Sequence, residues 1–122
     1  MSQETIFTKI INREIPADIV YEDEDTLAFK DINPQAPFHV LIIPKKAIAT
    51  INDINPENSH LVGNLYIVAA KLAKQHNFAE DGYRVVMNCN EHGGQTVYHI
   101  HLHMLGGKEM GWPPYQNVKK VN

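Results

Sequence analysis

The stretch Gly93-Gly94-Gln95-Thr96-Val97-Tyr98-His99-Ile100-His101-Leu102-His103 decides how the rest of the chain is read. Residues 98–105 alternate with a period of two, which predicts a strand. On such a strand His99, His101 and His103 share one face, while Tyr98, Ile100, Leu102 and Met104 share the other, the expected core face. Three of the chain's seven histidines on one strand face are more than packing would select. A core there would favour Val or Ile, and a solvated face Lys or Thr. The bland alternative is a set of half-exposed, hydrogen-bonded histidines without a role.

Two chemistries fit the triplet. A metal site is limited by spacing: neighbours at i and i+2 stand about 6.7 Å apart along a strand, and all three span about 13 Å. Zinc holds imidazole nitrogens at about 2.0–2.1 Å, so one ion would use two histidines and a ligand from elsewhere. The acidic residues nearest in sequence are Glu91 and Glu109. In phosphoryl transfer the labour divides instead. One imidazole attacks phosphorus and its neighbours orient it, hold the phosphate or serve the leaving group. Imidazole suits this because its ordinary pKa is near neutrality. Gly93-Gly94 would let backbone approach an anion, with Gln95 and Thr96 adding polar side chains.

Working outward, residues 83–88 read as the preceding strand and residues 89–97 as a polar loop. The one long helix is expected over residues 56–76. Asn55 suits its N-cap, Pro56 its first position and Glu57 its positive end, and Leu61, Leu65, Val68, Ala69 and Leu72 lie on one face. Residues 39–43 form an apolar strand stopped by Pro44, behind a loop of residues 33–37 held by two prolines. Residues 19–22 and 26–30 predict a hairpin about the acidic turn Asp23-Glu24-Asp25. A short helix is expected over residues 5–13. The order is α+β: one domain over residues 1–122 with five antiparallel strands, one long and one short helix, and an irregular tail at residues 106–122 carrying Trp112-Pro113-Pro114.

Composition narrows the setting. The 122 residues are 43% hydrophobic and 20% charged, with a formal net charge of −3 and no Lys/Arg cluster. No nucleic-acid partner is expected, and an anionic ligand must be held by local geometry. Cys89 is the only cysteine, so neither an intrachain disulfide nor a Cys-x-x-Cys zinc site can form. The first residues lack the pattern of a secretory signal, and no apolar run nears the roughly 20 residues of a membrane span. These features predict a cytoplasmic protein without a membrane partner.

The quoted stretch, followed by Gly106-Gly107, resembles the signature of the histidine triad family. It is most similar to bacterial members of the Hint branch, the purine nucleoside phosphoramidases. The likeness extends through Ile6-Phe7, Ile10-Ile11, Ile15-Pro16, residues 29–31, Pro34-Gln35-Ala36-Pro37, His39 and Trp112-Pro113-Pro114. It implies a homodimer with a continuous ten-stranded sheet, and hydrolysis of a purine nucleoside 5′-phosphoramidate to the monophosphate without metal or cofactor. His101 would be the nucleophile and His103 would face the phosphate and leaving group. His99 and His39 would orient His101 from behind. Asn88, Gly94, Gln95 and Thr96 would surround the phosphate, and Asp31 would accept the ribose hydroxyls. Ile6, Phe7, Ile10, Phe29, Ile32 and Leu41 would form the slot for the base, and Trp112 would reach the partner's site.

Plainer readings stay open. Ile6, Phe7, Ile10 and Leu41 can be core, Asp31 can open a turn, and His39 can be a satisfied strand histidine. Dinucleoside polyphosphate hydrolysis, nucleotidyl transfer and nucleotide binding without turnover also remain. The chain departs from the pattern at Thr96, where many relatives have Ser, and it lacks the cysteine pair that some members use for zinc.

Overall fold

The computed structural model describes residues 4–116. Strands β1 (Ile19–Glu22) and β2 (Thr26–Lys30) form the expected hairpin. Asp23 builds its turn, accepting the amides of Asp25 and Thr26 at 2.9 Å each. With β3 (Phe38–Pro44), β4 (Arg84–Val86) and β5 (Leu102–Gly106) they make one antiparallel sheet in the order β1-β2-β3-β5-β4. The fold class is as expected, and β1 and β4 are its edges.

Helix α1 (Ile6–Ile11) is shorter than residues 5–13 at both ends: Thr5 is its N-cap, the hydroxyl accepting from Phe7 and Thr8, while Asn12 is its C-cap and Arg13 turns the chain away with a φ of 63°. Helix α2 (Ser59–Gln75) begins three residues later than expected. Asn55 does cap a turn, its Oδ1 accepting the amides of Glu57 and Asn58. Asn58 then bonds back to the Asn55 amide at 2.8 Å, closing that turn before the helix starts.

The histidine strand is also shorter than its pattern. The ladder between β3 and β5 ends at Ile42↔Leu102. Two residues on, Pro44 would face Ile100, and proline has no N–H to continue the pairing. The Ile100 amide instead donates to the Ile48 carbonyl at 2.7 Å. His99 and His101 therefore lie on an irregular lead-in, and only His103 lies in β5. With no strand opposite, β4 also stops at Val86, short of Asn88. Tyr98, expected in the core, is exposed, whereas Ile100, Leu102 and Met104 are fully buried.

Alternation sorts the strands between two layers. Ala28, Val40, Ile42, Leu102 and Met104 face α2, packing with Leu65, Val68, Ala69 and Leu72. Leu27, Phe29, Leu41 and Ile43 face the other way and pack with Phe7 and Ile10 of α1. Residues 107–116 hold no helix or strand, and the expected tail beyond residue 116 lies outside the described residues. Among the described residues no helix is long and apolar enough to cross a membrane.

Candidate active site

Pairing of Leu41 with His103 and of His39 with Leu105 makes His39 and His103 diagonal neighbours on the α1 side of the sheet. His39 Nε2 and His103 Nδ1 are 3.0 Å apart. The amide of Gln35 donates to His39 Nδ1 at 3.0 Å. Since Nδ1 accepts, the proton of neutral His39 resides on Nε2 and is donated to His103 Nδ1. His103 in turn carries its proton on Nε2. One backbone amide thus sets the tautomers of two rings.

The lead-in sets the other pair. His101 Nδ1 donates to the carbonyl of His99 at 2.9 Å, so its Nε2 carries a free lone pair. His99 Nε2 donates to the Pro44 carbonyl at 2.7 Å, and His99 Nδ1, fully buried, has no partner among the described residues. Phe7 stands edge-on to both rings, with centroids 5.0 Å from His101 and 6.0 Å from His99. The His101 and His103 rings are 5.0 Å apart.

The contacts are distributed differently from the expected ones. His39 Nε2 meets His103 Nδ1. The His99 carbonyl meets His101 Nδ1, while the His99 side chain ties the lead-in to the end of β3. Nor are the histidines half-exposed: His39, His99 and His101 are buried and His103 is partly so. Burial is the chief cause holding all four below the ordinary histidine value. His103 falls furthest, to about 4, because His101 and His39 add to its desolvation while Asp31 opposes them. The four rings are neutral at pH 7.

The glycine-containing loop is used differently from the expectation. The amides of Gly93, Gly94 and Gln95 are spent on the carbonyls of Asn90 and Glu91. Gly93 is required by crowding, since a Cβ there would lie 2.8 Å from the Cys89 nitrogen. Gln95 is buried and committed: Oε1 accepts from the Asn90 amide at 2.9 Å, and Nε2 donates to Ala49 and Val97 carbonyls at 2.8 and 3.0 Å. Its side chain fastens the loop and has no donor left for a ligand. The same loop leaves Gly94 and Thr96 exposed, and Asn88 is partly buried.

Asp31 does two things at once. Its Oδ1 accepts the Asn33 amide at 2.8 Å, the turn expected of it, and its Oδ2 lies 3.5 Å from His39 Nε2. Of the apolar slot, Phe7, Ile10, Phe29 and Leu41 belong to one buried cluster and present little surface. Ile6, half exposed, and Ile32, 99% exposed, are the members open to solvent. Trp112 is 83% exposed, and the preceding Gly111 carbonyl accepts from Arg84 of β4 at 2.7 Å.

Asp31, His39 and His103 also place one potential ligand atom each within 4.8 Å of one another, a spacing a divalent ion could bridge. The central nitrogen, His39 Nε2, carries a proton in the tautomer that Gln35 selects, so the lone pair such an ion needs is absent. Sequence reasoning missed the Gln35 amide and the Pro44 carbonyl. Both are backbone groups, which no residue type announces.

Comparison with known proteins gives a consistent set of relatives. A family model described as scavenger mRNA decapping enzyme C-term binding matches residues 4–112. The chain is 59% identical over 111 residues to a purine nucleoside phosphoramidase of Escherichia coli strain K12, covering 91% of this chain and 93% of that one. It is 54% identical over 114 residues to a HIT-like protein of Synechococcus elongatus, covering 93% and 99%. Among solved structures, a HIT family hydrolase from Legionella pneumophila superposes with a TM-score of 0.89 at 58% identity, covering 92% of this chain and 100% of that one. A histidine triad protein from Clostridium difficile gives 0.85 at 45% identity, covering 91% and 95%.

Proposed function

The chain belongs to the histidine triad family, and from that membership we propose that it hydrolyses purine nucleoside 5′-phosphoramidates through a nucleotidyl-histidine intermediate. The observation that carries the reading is the His101 Nδ1–H bond to the His99 carbonyl, which leaves Nε2 as the free lone pair. A nucleophile has to be unprotonated and aimed, and burial keeps this ring neutral. The relative's name, purine nucleoside phosphoramidase, points to the same chemistry.

In the proposed reaction His101 Nε2 attacks the phosphorus, the P–N bond breaks and the amine departs. Water then attacks the phosphorus of the nucleotidyl-histidine, the bond to Nε2 breaks and the nucleoside monophosphate leaves. His103 offers Nε2–H to the phosphoryl group. Thr96 and Asn88 take the phosphate side and Asp31 the ribose hydroxyls, while Ile6 and Ile32 cover the base above the buried Phe7, Ile10, Phe29 and Leu41. The test is a quenched reaction with an adenosine phosphoramidate. Intact protein should gain the mass of one nucleoside monophosphate, and peptide mapping should put it on His101. An adduct on another residue, or turnover with no adduct at any quench time, would sink the assignment.

The active unit in this reading is a homodimer. Edge strand β4 would pair with its copy, joining two five-stranded sheets into a ten-stranded one. Tyr66 and Ile67, exposed on α2, would be covered by the second subunit. Trp112, held through the Arg84–Gly111 bond, would reach the partner's site. A monomeric mass at micromolar concentration would remove this part. The lone Cys89 and a nucleotide substrate fit a cytoplasmic enzyme.

A further inference from the structure

The amine leaving group needs a proton as its P–N bond breaks, and the hydrogen-bond chain around His103 limits where that proton can come from. For His103 to be an acid in the usual sense it must first be an imidazolium, with a proton on Nδ1 as well as Nε2. That Nδ1–H would point at the N–H of His39, 3.0 Å away. His39 could make room only by moving its own proton to Nδ1, where the Gln35 amide already points its hydrogen from 3.0 Å. The other route, giving up Nε2–H from neutral His103, would leave an imidazolate in a cluster that contains the Asp31 carboxylate. The charged and titratable groups facing His103 are His101, His39 and Asp31, and none of them opens a third route. His103 therefore keeps Nε2–H throughout, and a ring that keeps its proton serves an oxygen that gains negative charge.

We propose that the Gln35 amide and His39 hold His103 as an uncharged hydrogen-bond donor to a phosphoryl oxygen, so that the site takes phosphoramidates whose nitrogen is already protonated and spares alkyl phosphodiesters. This rests on the phosphoramidate reading above and names its substrate limits. The step balances without an enzymic acid. The substrate nitrogen takes its proton from solvent, the lone pair of His101 Nε2 forms the new N–P bond, and the electrons of the old P–N bond stay on the nitrogen, which leaves as a neutral amine. An ester oxygen is far less basic than an amidate nitrogen. An alkyl ester would have to expel a bare alkoxide, whereas a nitrophenyl ester expels a stable anion and needs no proton.

The experiment measures kcat and KM for three adenosine 5′-monophosphate derivatives: the ethylamidate, the ethyl ester and the para-nitrophenyl ester. Wild type should cleave the amidate and the nitrophenyl ester, and the ethyl ester more than about a thousandfold more slowly. His103→Gln and His103→Ala should each lower kcat/KM for the amidate and the nitrophenyl ester by the same factor, within about threefold, because the lost donor serves an oxygen common to both. A loss larger by about a hundredfold or more for the amidate, or ready cleavage of the ethyl ester, would make His103 a general acid and overturn the proposal. Failure of wild type to cleave any amidate would overturn the phosphoramidate reading itself. Wild-type protein gives a second readout that needs no variant: nitrogen-15 spectra of the imidazoles with AMP bound. His39 and His103 should both carry hydrogen on Nε2 alone at pH 7, and a His103 imidazolium would refute the assignment.

Discussion

The two faces of the sheet are made by the same strands and put to opposite uses. Towards α2, Ala28, Val40, Ile42, Leu102 and Met104 are apolar and sealed under a 17-residue helix. Towards α1 the apolar surface is interrupted by His39 and His103, and the covering helix has six residues. The long helix shields its face along its length. The short one covers Leu27, Phe29, Leu41 and Ile43 but not the start of β3, where it faces the end of β5. At that uncovered end, rings can be desolvated by their neighbours and still be reached by a ligand. The difference teaches that stability and chemistry are separated by strand alternation, one residue apart in the chain.

The separation can be broken most severely at His101. His101→Ala should lower turnover by about a thousandfold or more while leaving cooperative unfolding intact, measured by steady-state assay and thermal melting. The converse is Leu72→Ala on the α2 side, which should cost roughly 2–5 kcal/mol of stability in denaturant titration. Turnover per folded molecule should stay at the wild-type level, and a matching loss of turnover would show that the faces are coupled. Gln95→Ala lies between the two cases. It deletes three hydrogen bonds of the loop and should cost roughly 1–3 kcal/mol while also lowering kcat, because the loop carries Thr96.

The histidine face should also be the acid-sensitive one. Burial lowers the four pKa values below the ordinary 6.5, with His103 near 4, so the unfolded chain binds more protons across that interval. Their contribution to stability is complete above pH 6.5 and is lost as pH falls through the lowered values. Melting temperature should drop between pH 6.5 and 4, less steeply in His103→Gln. The acid limb of kcat/KM should fall below 6.5, and a limb at 6.5 would contradict a depressed His101. The smallest effect is expected at Ile32→Ser, a few-fold rise in KM with no change in melting, since Ile32 is fully exposed in the free protein.

Most of the architecture was legible in the chain. The hairpin, the apolar β3 and the face of α2 follow from periodicity and turn residues, and the histidine motif marks where the rings of the candidate site gather. Element ends were less legible, because they depend on partners. β5 starts at Leu102 and not at Tyr98 because Pro44, remote in sequence, cannot continue the ladder. Gln95 looked like a ligand-facing side chain, and only its three partners reveal a fastener. The pairing of His39 with His103 was hidden for the same reason: register between two strands sets which rings meet. Phe7 and Leu41 could be read equally as core or as slot, since an apolar type alone does not report exposure.

Three bonds that poise the four rings end on main chain: the Gln35 amide, the His99 carbonyl and the Pro44 carbonyl. Their inheritance therefore differs from that of the histidines. A codon change at 99 can erase an imidazole but not the carbonyl that aims His101, and at 35 only proline removes the amide. At 35, where the ring is met by the amide alone, the side chain can change while the tautomers beside it are kept. Among descendants of this sequence, the control of proton position should outlast the identity of the residues that supply it.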